Sequence, residues 1–148
     1  MNKIVILLAV SINLSFSFKP STKVDQIKTP LKIVVNGAEK GKTINLGVFR
    51  KTDNFPEQGK YFKNYKQITE SKGSIVFVID NLPYSTYSLA VFQDNNLDGI
   101  LNTNFFGIPK EPYGFSQNFK PKLSAPDFED CSITYNNEQN TYVINLQK

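Results

Sequence analysis

The chain has 148 residues, with 17 Lys and Arg against 13 Asp and Glu, one cysteine and no histidine. That length supports one domain with a real core, and 40% hydrophobic with 20% charged residues is a globular composition. Without histidine there is no Ser-His-Asp or Cys-His nucleophile pair and no His-ligated zinc; a lone cysteine rules out an intrachain disulfide and any Cys-x-x-Cys motif.

Met1-Asn2-Lys3 is a short basic start, followed by an apolar run over residues 4–10 and a mixed continuation to Phe18. This pattern predicts a secretory signal peptide over residues 1–17, cut near Ser17, because Ser15 and Ser17 fall at the small-residue positions. The alternative is an uncleaved N-terminal anchor, although the run is short and interrupted by Ser and Asn for a bilayer span. No Cys follows the run to carry a lipid. The expected location is secreted or periplasmic, with no membrane span after cleavage. Residues 18–30, with Pro20 and Pro30, are expected to form an extended leader.

After Pro30 the pattern changes to period two. Leu31, Ile33 and Val35 alternate with Lys32 and Val34, and Asn36-Gly37 opens a turn. Ile44, Leu46 and Val48 alternate with Thr43, Asn45 and Gly47. A further strand is weakly signalled at residues 66–70. Residues 74–79 are a continuous β-branched and apolar run, as in a central strand. Tyr87, Leu89 and Val91 alternate, as do Cys131, Ile133 and Tyr135, and then Tyr142, Ile144 and Leu146. No helical stripe is sustained over 11 residues; a helical turn is allowed only at residues 53–62. The reading is all-β: an antiparallel seven-stranded β-sandwich, transthyretin-like or Ig-like, one domain over residues 31–148, with one long loop excursion. On this alternation Cys131 is expected to be buried and inert.

Charge is unevenly placed: residues 18–79 carry 12 basic and 5 acidic side chains, and residues 80–130 carry 3 and 7. The lysines are scattered and Arg50 is the one arginine, which reads as a solvated face and not a nucleic-acid surface.

The long excursion opens with Asp94-Asn95-Asn96-Leu97-Asp98-Gly99-Ile100-Leu101-Asn102. The form D-x-N-x-D-G is the first half of a calcium loop. Oxygens at Asp94, Asn96 and Asp98 converge if the chain turns sharply at Gly99, which brings in the Ile100 carbonyl and then Asn102. Phe105 stands where an EF-hand has its bidentate Glu, and no helices flank the loop. A further carboxylate would have to come from Asp127, Glu129 or Asp130, the nearest acidic cluster. The alternative is an Asn/Asp/Gly turn with no ion. Phe105, Phe106, Tyr113 and Phe115 then follow among Gly and Pro. They could pack as a small cluster under the loop, the favoured reading, or form a platform for a partner or glycan.

The stretch from Asn81-Leu82-Pro83 through Phe92-Gln93-Asp94, Asp98-Gly99 and Asn104-Phe105-Phe106-Gly107-Ile108-Pro109 to Tyr113-Gly114-Phe115-Ser116, with Ala125-Pro126-Asp127-Phe128-Glu129-Asp130, resembles the secreted bacterial family called domain of unknown function 2141. Gln93 stands where that family commonly has His, Ser85 where it has a turn Gly, and Pro112 and Cys131 where it has Gly and Ala. The resemblance implies secretion and a β fold, without an established activity. The Leu82-Pro83 approach to Tyr87 also resembles transthyretin-like and carboxypeptidase-regulatory-like sandwiches; the histidine-dependent hydroxyisourate hydrolases among the former are excluded here. Two function classes remain. The preferred one is a non-catalytic exported module with a Ca2+ loop, binding an extracellular or periplasmic partner or glycan. The other is a glycan hydrolase working through carboxylates such as Asp127, Glu129 and Asp130.

Overall fold

The computed structural model describes residues 28–122 and 124–148. The expected signal peptide, residues 1–17, and most of the 18–30 leader lie outside the described residues.

Period-two burial builds the first sheet. In β1 (Leu31–Ala38), Leu31, Ile33 and Val35 are fully buried, while Lys32 is exposed. β1 is the middle strand, flanked by β4 (Gly73–Ile79), antiparallel with Ile33 opposite Phe77, and by β8 (Thr141–Asn145), with Val35 opposite Ile144. The β1–β8 pair is parallel. This corrects the all-antiparallel expectation. The turn after β7 (Ser132–Tyr135) carries the chain out of one sheet and into the other, so β8 arrives beside β1 without a hairpin to reverse it.

The second sheet runs β3 (Lys63–Ile68), β2 (Thr43–Phe49), β5 (Ser85–Asp94), β6 (Tyr113–Phe115), all antiparallel neighbours. β7 also pairs with β5, along Ser85–Ser88, beyond the stretch taken by β6. The strand signalled near residues 66–70 is thus real and lies a few residues earlier. Among the described residues eight strands stand against the expected seven, the extra one being β6, drawn from the segment assigned to the loop excursion. Among the described residues there is no α-helix, only 3-10 turns at Ser116–Asn118 and Glu129–Cys131.

Both sheets turn their apolar rows onto one core. Leu31, Ile33, Phe77 and Ile144 from the first meet Ile44, Leu46, Leu89, Val91 and Ile133 from the second. The Leu82-Pro83 approach has a clear purpose: Leu82 is buried, and the Tyr87 hydroxyl donates to the Pro83 carbonyl at 2.8 Å, fixing the entry to β5. Cys131 ends a 3-10 turn and is fully buried; burial pushes its thiol up to about 12.

Candidate functional site

β5 is the longest strand, and its last residue, Asp94, starts the excursion. Asp94 is 2% exposed. Its Oδ2 accepts the Gly99 N–H at 2.7 Å, so the carboxylate faces into the loop, and its Oδ1 is buried without a partner among the described residues. The chain turns through positive φ at Leu97 (65°) and Gly99 (78°), the first uncommon for a leucine.

That turn brings three predicted ligands together. Asn96 Nδ2 donates to Asp98 Oδ2 at 2.8 Å and to Asn102 Oδ1 at 2.9 Å, and Asn102 Nδ2 donates to Asp98 Oδ2 at 3.1 Å. Asp98 Oδ1 accepts the Ile100 N–H at 2.8 Å. These bonds, the Ile100 N–H foremost and then the Asn102 and Asn96 amides, hold the Asp98 carboxyl below its ordinary value. Rotating the two amides by half a turn would present oxygens in place of NH2 groups. Asn96, Asp98 and Asn102 would then offer oxygens of the kind a hard cation takes.

The acidic cluster is elsewhere. Glu129 pairs with Lys51 at 2.7 Å, which lowers its carboxyl, and Asp130 Oδ2 accepts the Asp127 N–H at 3.2 Å. None of Asp127, Glu129 and Asp130 bonds to the loop among the described residues, and this corrects the expectation that they complete it. The carboxylate that does reach the loop is Glu111, which the motif reading missed. It is 4% exposed; its Oε1 accepts the Asn95 N–H at 2.7 Å and its Oε2 the Asn102 N–H at 3.0 Å. One side chain thereby pins both ends of the loop. The available signal was a lone acid inside an apolar, Pro-rich stretch, where a charge must be paired. Gln93, at the family's histidine position, is also fully buried: its Oε1 accepts the Glu39 N–H and its Nε2 donates to Asn95 Oδ1. Among the described residues no group of three or more His, Cys, Asp or Glu side chains is arranged to hold a metal; the loop set is two carboxylates and two amides.

The aromatic segment splits. Phe105 is 97% and Phe106 82% exposed, stacked edge to face at 5.5 Å, which corrects their expected burial. Asn104 Oδ1 accepts the Phe106 and Ile108 N–H groups, so the turn satisfies itself and stands away from the sheet. Phe115 is buried as expected, edge-on to Tyr113 and Phe55.

The outer face of the five-stranded sheet is also covered. Register places Lys66, Asn45, Phe92 and Tyr113 in one cross-strand row, and Asn64, Gly47, Ala90 and Phe115 in the next. Segment 50–62 and the 95–112 loop lie over these rows. Gln58 ties the two covers together, donating to the Gly99 carbonyl at 2.7 Å and accepting the Leu101 N–H at 3.0 Å. Beneath them remains a cleft of about 120 Å³. Asn45 lines it, and its Nδ2 is buried without a partner among the described residues.

A family model for an uncharacterized protein conserved in bacteria (DUF2141) matches residues 33–143. No curated protein and no solved structure matches the chain.

Proposed function

The chain belongs to this DUF2141 family of uncharacterized bacterial proteins, and from that premise we propose an exported, non-catalytic β-sandwich module whose 94–102 loop holds a calcium ion and whose exterior engages a partner or glycan. The observation that carries the ion reading is the buried, unpartnered Asp94 Oδ1. A buried carboxylate oxygen without a donor is costly, and a cation beside it removes that cost. Asn96, Asp98 and Asn102 meet in the same loop and, with the two amides turned over, supply the remaining oxygens. Among the described residues the Glu111 carboxylate bonds only to backbone, and it adds rigidity at the ends of the loop.

Two carboxylates without a bidentate Glu place the affinity on the order of 10⁻⁴ to 10⁻³ M, the range of extracellular modules. Calcium at 100 times its dissociation constant then adds about 2.7 kcal/mol of stability. Melting curves test this. Calcium should raise the melting temperature, magnesium should do so poorly, and Asp94→Asn should abolish the shift without lowering the metal-free melting temperature. No shift in the wild-type protein up to about 10 mM calcium overturns the ion reading.

The sandwich reading is supported by the two sheets sharing one buried cluster and by the Tyr87–Pro83 corner, which resembles the tyrosine corner of Ig-like and related sandwiches. Export rests on residues 1–17: expression of the full chain should yield a periplasmic or secreted product starting near Phe18, and an intact cytoplasmic product overturns it. The non-catalytic reading is supported by the acidic cluster's surroundings. The groove beside Glu129 is lined by Arg50, Lys51 and Phe128 and presents that single carboxylate, where glycoside cleavage needs two facing ones.

A further inference from the structure

We propose that the cleft on the outer face of the five-stranded sheet is a binding site for a small planar anion, a single-ring aromatic carboxylate. The proposal names a ligand for the exterior of the module described above, and it stands independently of calcium. The floor is flat because Gly47 and Ala90 lie side by side across β2 and β5. A Cβ at Gly47 would meet the Phe49 ring at 2.8 Å, so glycine is what lets the Phe49 ring pack down onto the strand beside the cleft. Rings of Phe92 and Tyr113 rise from the sheet on one side, and Tyr61 lines the cleft from the covering segment. Such walls select a flat apolar body.

Two polar groups fix what that body must carry. Asn45 is 3% exposed, and its side-chain amide has a buried Nδ2 that meets no acceptor among the described residues. Turning the amide over presents that NH2 to the cleft, where an acceptor on the ligand would satisfy it. Lys66, its neighbour in the cross-strand row, is the only charged residue lining the cleft and forms no ion pair among the described residues. Its Nζ lies 3.7 Å from where a Gly99 side chain would begin, so the ammonium reaches across to the covering loop. An acceptor-rich, negatively charged group answers both, and a carboxylate is the smallest that does. A saccharide fits poorly. Its many hydroxyls would face rings, and the Gln58 amide at the rim is already engaged through both of its polar atoms by Gly99 and Leu101. The volume of about 120 Å³ suits one ring. The Gln58 bridge also means the covers are in place before any ligand arrives, which limits the ordering cost of binding.

The test is calorimetric titration of the purified protein with benzoate and 4-hydroxybenzoate, in EDTA and again in calcium, with benzyl alcohol and a neutral oligosaccharide as comparison ligands. Saturable one-to-one binding of a benzoate is expected in both buffers, with benzyl alcohol at least about tenfold weaker. Lys66→Met, an exposed position, should weaken benzoate about tenfold or more, and Asn45→Leu about fivefold. Absence of benzoate binding up to 10 mM, equal affinity in Lys66→Met, or preference for the oligosaccharide overturns the proposal. A calcium-induced melting shift that persists without benzoate binding defeats the cleft alone; benzoate binding without a calcium shift defeats the ion reading alone.

Discussion

Strand β2 is buried on both sides, and its two faces are chemically opposite. Ile44, Leu46 and Val48 face the shared core, fully buried and wholly apolar. Asn45, Gly47 and Phe49, one step along the same backbone, are almost as deeply buried under segment 50–62 and the 95–112 loop. The inner face is covered by another sheet, whose alternating apolar rows match its own. The outer face is covered by irregular chain, which follows no such period and leaves a cleft, an unpartnered amide and a lysine. Equal burial therefore does not mean equal completeness. The face closed by loops is the one with space and hydrogen-bonding capacity left for something else.

The strongest way to break this contrast is on the inner face. Leu46→Ala should cost about 2–5 kcal/mol in denaturant unfolding, since its site is fully enclosed; a cost below about 1 kcal/mol would mean that the core is as loosely filled as the outer cover. On the outer face the sign should reverse. Asn45→Leu removes a buried donor that has no acceptor, so the ligand-free protein should be unchanged or more stable by up to about 1 kcal/mol, measured by the same unfolding curve. Phe106→Ala probes the far end of the covering loop: with its ring 82% exposed, the change should stay within about 0.5 kcal/mol.

The smallest effect is electrostatic and separates the loop from the sheet. The Asp98 carboxyl titrates below its ordinary value of 3.8 because the charged form accepts the Ile100 N–H and the Asn102 and Asn96 amides. A depressed folded-state value stabilises the loop above the ordinary value, and that contribution is lost as pH falls through the lowered one. A carboxyl-carbon NMR titration should place the Asp98 midpoint below that of exposed aspartates. Replacing Asn96 by Ala should move it back upward.

Most strands were legible because one face of each meets the core, and Ile44, Leu46 and Val48 announce that through alternation alone. β6 was not. Tyr113-Gly114-Phe115 is too short to show a period, and it is a strand only because the edge of β5 is there to receive it. The parallel placement of β8 is equally invisible, since a strand's own residues do not record the direction of its neighbour. At the site, the spacing of Asn96, Asp98 and Asn102 was enough to predict that they meet, because loop geometry is local, whereas Asp94 bonds to the Gly99 N–H. Glu111 was missed for the opposite reason: its partners, Asn95 and Asn102, are brought to it by the return of the chain. The Asp127–Asp130 cluster was near in sequence order yet is occupied by Lys51 and by its own backbone.

The parallel pairing of β1 with β8 has a mechanical consequence. These are the first and last strands among the described residues, and they run side by side in register from Lys32 opposite Thr141 to Asn36 opposite Asn145. Tension pulling β1 toward its N-terminal end and β8 toward its C-terminal end slides the two strands against each other. The hydrogen bonds between them are evenly spaced, so they share that load together and do not open one at a time like a zipper. Stretched between its ends in a force spectrometer, the domain should resist as a shear clamp and yield in a single high-force event.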